Sequence, residues 1–236
     1  MARTVLLNNI DHHDLRVVQR HGASLGDAVM LAHTFPAEFR DLQAHYPIVF
    51  QKSADGTSFH PVALLGLQAD QNLFLQGDTW DASHVPLAMQ RGPFYIGHDG
   101  DELLVHVDLD SPRLSRTEGD LLFLPHGGQT EVLQQATSAL LAIHQGLQAL
   151  PAFIDALLTH GLLESFVLDL TEPDCSTGRL AGFYTIHEER LASLTGPALE
   201  QLHRAGHLEA VFMAVASLSN LRALIDRRQR LHARGR

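Results

Sequence analysis

The chain has 236 residues, 45% of them apolar, enough for a substantial core and too many for wholesale disorder. Lys and Arg total 17 against 27 Asp and Glu, a formal net charge of −10. A body of that sign repels phosphate backbones, and no basic stripe interleaved with aromatics offsets it, so nucleic acid is not an expected partner.

In chain order, the first half reads as short strands bounded by turn residues: Val5–Leu7, Tyr46–Phe50, Pro61–Leu67, Asn72–Leu75, Pro93–Gly97 and Leu103–Leu109. Asp55-Gly56 reads as a hairpin turn, and Ala37–Ala44 as one early helix stopped by Pro47. In Leu103–Leu109 the apolar residues Leu103, Val105, Val107 and Leu109 share one face, with His106 and Asp108 on the other.

From Gln129 the period becomes helical, with Leu133, Ala136, Leu140, Ile143 and Leu147 in one stripe. Pro151 reads as opening a second helix that Gly161 ends. Ser165–Leu170 and Arg179–Ile186 read as a hairpin (165–186) around the loop that holds Cys175, the one cysteine. A single thiol forms no intramolecular disulfide, and no nearby histidine activates it. Helices are expected at Glu188–Leu194 and Pro197–Arg204. A long amphipathic segment through Leu208, Val211, Phe212, Val215, Leu218, Leu221 and Ile225 follows. Arg227, Arg228, Arg230, Arg234 and Arg236 crowd the end beside His232, read first as a solvated helix terminus and alternatively as an arm for an acidic partner or membrane.

Strands first, then a helix pair, a hairpin and amphipathic helices, predict an α+β fold with a largely antiparallel sheet. One domain over 1–236 is expected, strand-rich over 1–128 and helix-rich over 129–236, since no linker or internal repeat divides it. No run of consecutive apolar residues reaches the ~20 needed to cross a bilayer, and the N-terminus does not read as a secretory signal. The cytoplasm is the expected location, with a non-classical route to the surface as the alternative.

Several stretches resemble the SapC family: His13-Asp-Leu-Arg-Val17, Ala37-Glu-Phe39, Tyr46-Pro-Ile-Val-Phe50, Pro61-Val-Ala-Leu-Leu-Gly-Leu67 and Asn72-Leu-Phe-Leu75. Trp80-Asp-Ala82, Pro93-Phe-Tyr-Ile96, Asp108-Leu-Asp-Ser-Pro-Arg-Leu-Ser115, Gly182-Phe-Tyr-Thr-Ile186, Glu189-Arg-Leu191 and Ser217-Leu-Ser-Asn-Leu221 continue the pattern in order. A histidine that the resemblance would put near Ala214 is absent. The resemblance implies a bacterial protein linked to surface layers, or to uptake through TonB-associated systems in Gram-negative cells. It implies no particular reaction.

Phosphate-binding loops, nucleophile elbows and paired Cys-x-x-Cys are all missing. The ligand-binding candidates are Trp80, Asp81 and Arg91, an aromatic platform beside a carboxylate and a guanidinium; the equal alternative is a structural Asp81–Arg91 pair under a Trp80 that plugs the core. His13 reads as a fastener on a backbone carbonyl or Glu38, or else a binding residue, and His144 lies on an apolar helix face. His106 and Asp108, joined by His187 or His203, form the alternative of a non-haem iron site; otherwise no cofactor is expected. The leading expectation is therefore a non-catalytic binding or assembly protein for a protein, peptide or small polar ligand, with homo-oligomerisation left open. An iron oxygenase or tailoring enzyme acting on a peptide or aromatic substrate, and a surface-layer subunit, are the alternatives.

Overall fold

The structure, a computed structural model, describes residues 3–100, 102–171 and 177–234. The elements of the first half are β1 (Thr4–Leu6), β2 (Arg16–Val17), β3 (Leu31–His33), α1 (Phe39–Leu42), β4 (Ile48–Lys52) and β5 (Phe59–Leu64). Then come β6 (Leu75–Gln76), β7 (Thr79–Trp80), α2 (Leu87–Gln90), β8 (Phe94–Asp99), β9 (Glu102–Asp108), β10 (Leu114–Ser115) and β11 (Asp120–Leu121). The second half holds α3 (Glu131–Thr159), β12 (Leu163–Thr171), β13 (Thr177–Ile186), α4 (Glu188–Ala192), α5 (Gly196–Arg204), α6 (Leu208–Ser217) and α7 (Asn220–Arg234). The class is α+β and every strand pairing is antiparallel, but the strands divide among separate sheets instead of forming one.

The chain clusters into two compact units, each drawn from two stretches: Met1–Ala28 with Phe74–Gln145, and Val29–Leu73 with Gly146–Arg236. In the first, β9 lies between β1 and β8. Val107 on β9 is fully buried, with Val105 and Leu109 packed against the same core, as the alternation predicts. Leu103, at the turn end of the strand, stays exposed. Phe94, Leu122, Leu133, Ala136 and Leu140 complete this core, and β2 forms a small ribbon between β10 and β11.

In the second unit a five-stranded sheet runs β12-β13-β4-β5-β3. The β4–β5 hairpin closes over Asp55-Gly56, as expected from the turn residues. The family-like stretches here are core: Tyr46, Ile48, Val49 and Phe50 have no exposed surface. Phe153 meets Phe39 edge-on at 6.0 Å and Phe50 at 6.4 Å. Of the expected strand at Asn72–Leu75 only Leu75 is in a strand, the two-residue β6, while Cys175 lies outside the described residues.

Pro151 does not open a second helix. It sits inside the continuous 29-residue α3. An interior proline removes one backbone hydrogen bond and costs about 3 kcal/mol. Leu150, Phe153, Ile154 and Leu157 are all buried around it, each contributing roughly 1.5–3 kcal/mol, so packing outweighs the local penalty. Gly161 ends the helix as its position predicts: at φ 61 it takes the left-handed turn that lets the Leu162 amide reach back to the Leu157 carbonyl at 2.8 Å.

Two segments, Glu131–Thr159 and Leu208–Leu231, are long and apolar enough to cross a bilayer by length and composition. A count of consecutive apolar residues misses them because polar residues interrupt both, among them Gln134, Thr137 and His144 in the first and Ser217, Ser219 and Asn220 in the second. Helices that supply a core pass the same test, and α3 does so through Leu133, Leu140, Phe153 and Leu157.

Candidate functional site

The best-formed cleft in the first unit has a volume of about 270 Å³. One wall is the end of β2 and its continuation (Val17, Val18, Gln19 and His21). A second is the segment around α2, with Ser83, His84, Val85, Met89, Gln90 and Phe94; Val132, Gln135 and Ala136 of α3 close the third. Arg113 reaches in from beside β10. Apolar side chains thus alternate with amides, imidazoles and a hydroxyl, the mixture expected where a small molecule is held and oriented.

Behind this lining lies a fixed polar network. After His21 the chain makes a 3₁₀ turn over Ala23–Leu25, and Gly26 at φ 90 reverses it. Asp27 is thereby folded back so that its carboxylate accepts from the Gly22 amide at 2.9 Å and from His21 Nδ1 at 3.2 Å. The same carboxylate, 1% exposed, takes the Arg113 Nη2 on both oxygens at 2.5 Å. Nη1 of Arg113 donates to the carbonyls of Val18 (3.1 Å) and Arg20 (3.0 Å). Pairing of β10 with β2 positions this arginine, since the Val18 amide in turn donates to the Arg113 carbonyl.

Burial alone would push the Asp27 carboxyl up. Hydrogen bonds from His21, the Gly22 amide and Arg113, together with the guanidinium charge, outweigh it and hold the group below the ordinary carboxylate value. Asp27 therefore remains an anion that fixes the His21 ring through Nδ1. The edge of that ring meets Trp80 at 5.2 Å, and Trp80 stacks on Phe74 at 6.4 Å and 16°. Nε2 of His21 has no hydrogen-bond partner among the described residues.

Of the residues singled out from the sequence, Trp80 supports this network but does not line the cleft. Asp81 accepts from Gln76 Nε2 at 2.7 Å. Arg91 turns to the Phe94 carbonyl at 2.8 Å and lies over the Tyr95 ring at 4.3 Å, so an Asp81–Arg91 pair is not what organises the region. His13 is exposed and bonded through Nδ1 to the Ile10 carbonyl at 3.1 Å, a fastener of its own turn. His144 is half-buried with its ring 5.5 Å from that of His98. In the second unit Glu38 is buried and accepts from Thr34 Oγ1 at 2.6 Å. None of His13, Asp81, Arg91 or His144 lines the cleft.

His106 and Asp108 do share the outer face of β9, where the His106 ring covers Gly97 of β8 so closely that a Cβ there would sit 2.2 Å from it. Among the described residues no three His, Cys, Asp or Glu side chains gather where they could hold a metal ion.

His21, Asp27 and Arg113 had no local signature: the last two are 86 residues apart. The one available signal was Arg113 itself, inside the family-like stretch Asp108–Ser115. No curated protein and no solved structure shows a significant match to the chain. The SapC family model matches residues 7–224, nearly the full length and including all three network residues. The chain belongs to the SapC family.

Proposed function

We propose that this SapC-family chain is a non-catalytic binding protein that holds a small polar molecule or peptide in the cleft beside His21, as an accessory to an uptake or surface system of a Gram-negative cell. The observation that carries the reading is the rigid His21–Asp27–Arg113 network behind a cleft of mixed polarity. Preorganised polar groups lower the ordering cost of binding, which is where such sites gain affinity. The surface or uptake setting comes with the family and with nothing in the geometry. Immobilised protein offered a random pentapeptide library, with mass-spectrometric readout, tests the reading. Wild type is expected to retain a defined set that Gln135→Trp, which covers the rim, loses; equal retention by both would contradict it.

A second reading, a tailoring enzyme, is favoured by one observation. An imidazole oriented by a buried carboxylate is also how a general base is held. Turnover abolished in His21→Gln, with ligand binding kept, would select that reading. For its oxygenase form, iron content of the purified protein, compared with His106→Ala, is the corresponding test.

A further inference from the structure

We infer that the ligand of this cleft is an uncharged molecule that donates an O–H or N–H to Nε2 of His21 from a small apolar body, an inference that rests on the binding reading above. Most polar groups around the cleft are already committed within the chain. Gln90 Nε2 donates to the Val85 carbonyl and Gln135 Nε2 to Glu131 at 3.3 Å, while Ser83 and His84 have interactions of their own. Among the described residues Arg113 is the one Asp, Glu, Lys or Arg that lines the cleft, and Asp27 behind it meets its charge. An anion would therefore find no uncommitted cation and a cation no carboxylate. Either would leave water uncompensated, which an uncharged ligand avoids.

His21 is the exception to this commitment, and Asp27 decides its form. Nδ1 lies 3.2 Å from the Asp27 carboxylate, which is held ionised and so can only accept. The proton of the neutral imidazole is thereby placed on Nδ1, and Nε2 keeps a lone pair. Asp27 on one side and the Trp80 ring, 5.2 Å away, on the other fix the orientation of a side chain that is 22% exposed and lines the cleft. An acceptor held in this way takes a hydroxyl or an N–H. A ligand that covers it without donating leaves it unsatisfied.

The apolar side of the cleft sets the rest of the molecule. Val85, Met89, Phe94 and Val132 supply the apolar walls, and a cleft of about 270 Å³ leaves room for a single ring or a branched chain. A donor at the imidazole and hydrocarbon toward Met89 and Phe94 satisfies both sides at once.

Isothermal titration calorimetry on the full chain at about pH 8, above the ordinary imidazole range, separates these cases with four probes built on one ring. They are benzyl alcohol, benzyl methyl ether, benzylammonium and benzoate. Benzyl alcohol is expected to bind about tenfold tighter than the ether, the cost of covering an acceptor without supplying its donor, and tighter than either ion. His21→Phe, which keeps a ring against Trp80 and removes the acceptor, should bring the alcohol to the level of the ether. An NMR spectrum of the imidazole nitrogens reads the same feature in wild type. His21 is expected with its proton on Nδ1, and Nε2 should shift toward the protonated position with benzyl alcohol and not with the ether. Equal or tighter binding of the ether or either ion, an unchanged preference for the alcohol in His21→Phe, or a proton found on Nε2 would overturn the donor inference while leaving the cleft a binding site. No binding by any of the four up to ~20 mM, weaker than any useful recognition, would overturn it as well, and the peptide-library comparison then decides the binding reading by itself.

Discussion

Arg113 and Asp27 form a buried bidentate pair, Nη2 lying 2.5 Å from both carboxylate oxygens, and through it a strand pairing is tied to the ring of His21. Removing one member strands the other in a dry interior. Asp27→Ala is expected to cost about 3–5 kcal/mol in urea unfolding. The double variant Asp27→Ala/Arg113→Met should be less damaged than the sum of the two single variants, because no lone charge remains. Additive losses would show that the pair is not coupled.

The same carboxylate predicts the acid side of the stability profile. Its folded pKa lies below the ordinary value, so the unfolded chain binds the proton more readily and Asp27 contributes stability above its unfolded value near pH 4. That contribution is lost as pH falls through the folded pKa. Unfolding free energy measured from pH 5 downward should therefore drop more steeply in wild type than in Asp27→Asn.

Gly146 on α3 is the point where the Phe35 ring meets the helix: a Cβ there would lie 2.1 Å from Cδ2 of Phe35, a side chain 4% exposed. Alanine gains up to ~1 kcal/mol of helix propensity, but overpacking a buried ring costs roughly 1–3 kcal/mol. The clash should win, and Gly146→Ala should lower the thermal midpoint. A raised midpoint would mean that Phe35 repacks freely.

Ser217 is fully buried in α6, donating to the Ala214 carbonyl at 2.6 Å and accepting from the Ile48 amide at 2.9 Å. Ser217→Ala leaves that amide without its partner in the core, a loss of about 1–3 kcal/mol, readable as a lower urea midpoint at unchanged m-value.

At the β4–β5 turn Asp55 gathers the Ser53 hydroxyl at 2.5 Å, the Thr57 amide at 3.0 Å and the Thr57 hydroxyl at 2.8 Å. Led by the Ser53 hydroxyl, these bonds bring its pKa to about 2. A carboxyl-carbon NMR titration should find that value in wild type and a higher one in Ser53→Ala.

The sequence was most legible where structure is local. Alternation in Leu103–Leu109 identified β9 and its buried face, and Asp55-Gly56 marked the hairpin, because both depend on residues within a few positions. Pro151 misled because the penalty of a proline is local, whereas the packing of Phe153 and Leu157 that overrides it is tertiary. The His21 network was illegible for the same reason: its members meet only after β10 pairs with β2. Trp80 is legible as an aromatic of interest, but the rings it meets are those of His21 and Phe74, while Arg91 lies over Tyr95.

The most direct measurement is an intermolecular NOE experiment on methyl-labelled protein with a peptide retained from the library. Ligand binding in the cleft predicts contacts from the ligand to the Met89 and Ala136 methyl groups and to the His21 ring. Contacts confined to residues outside the cleft, or the same contacts in His21→Gln at unchanged affinity, would contradict the account.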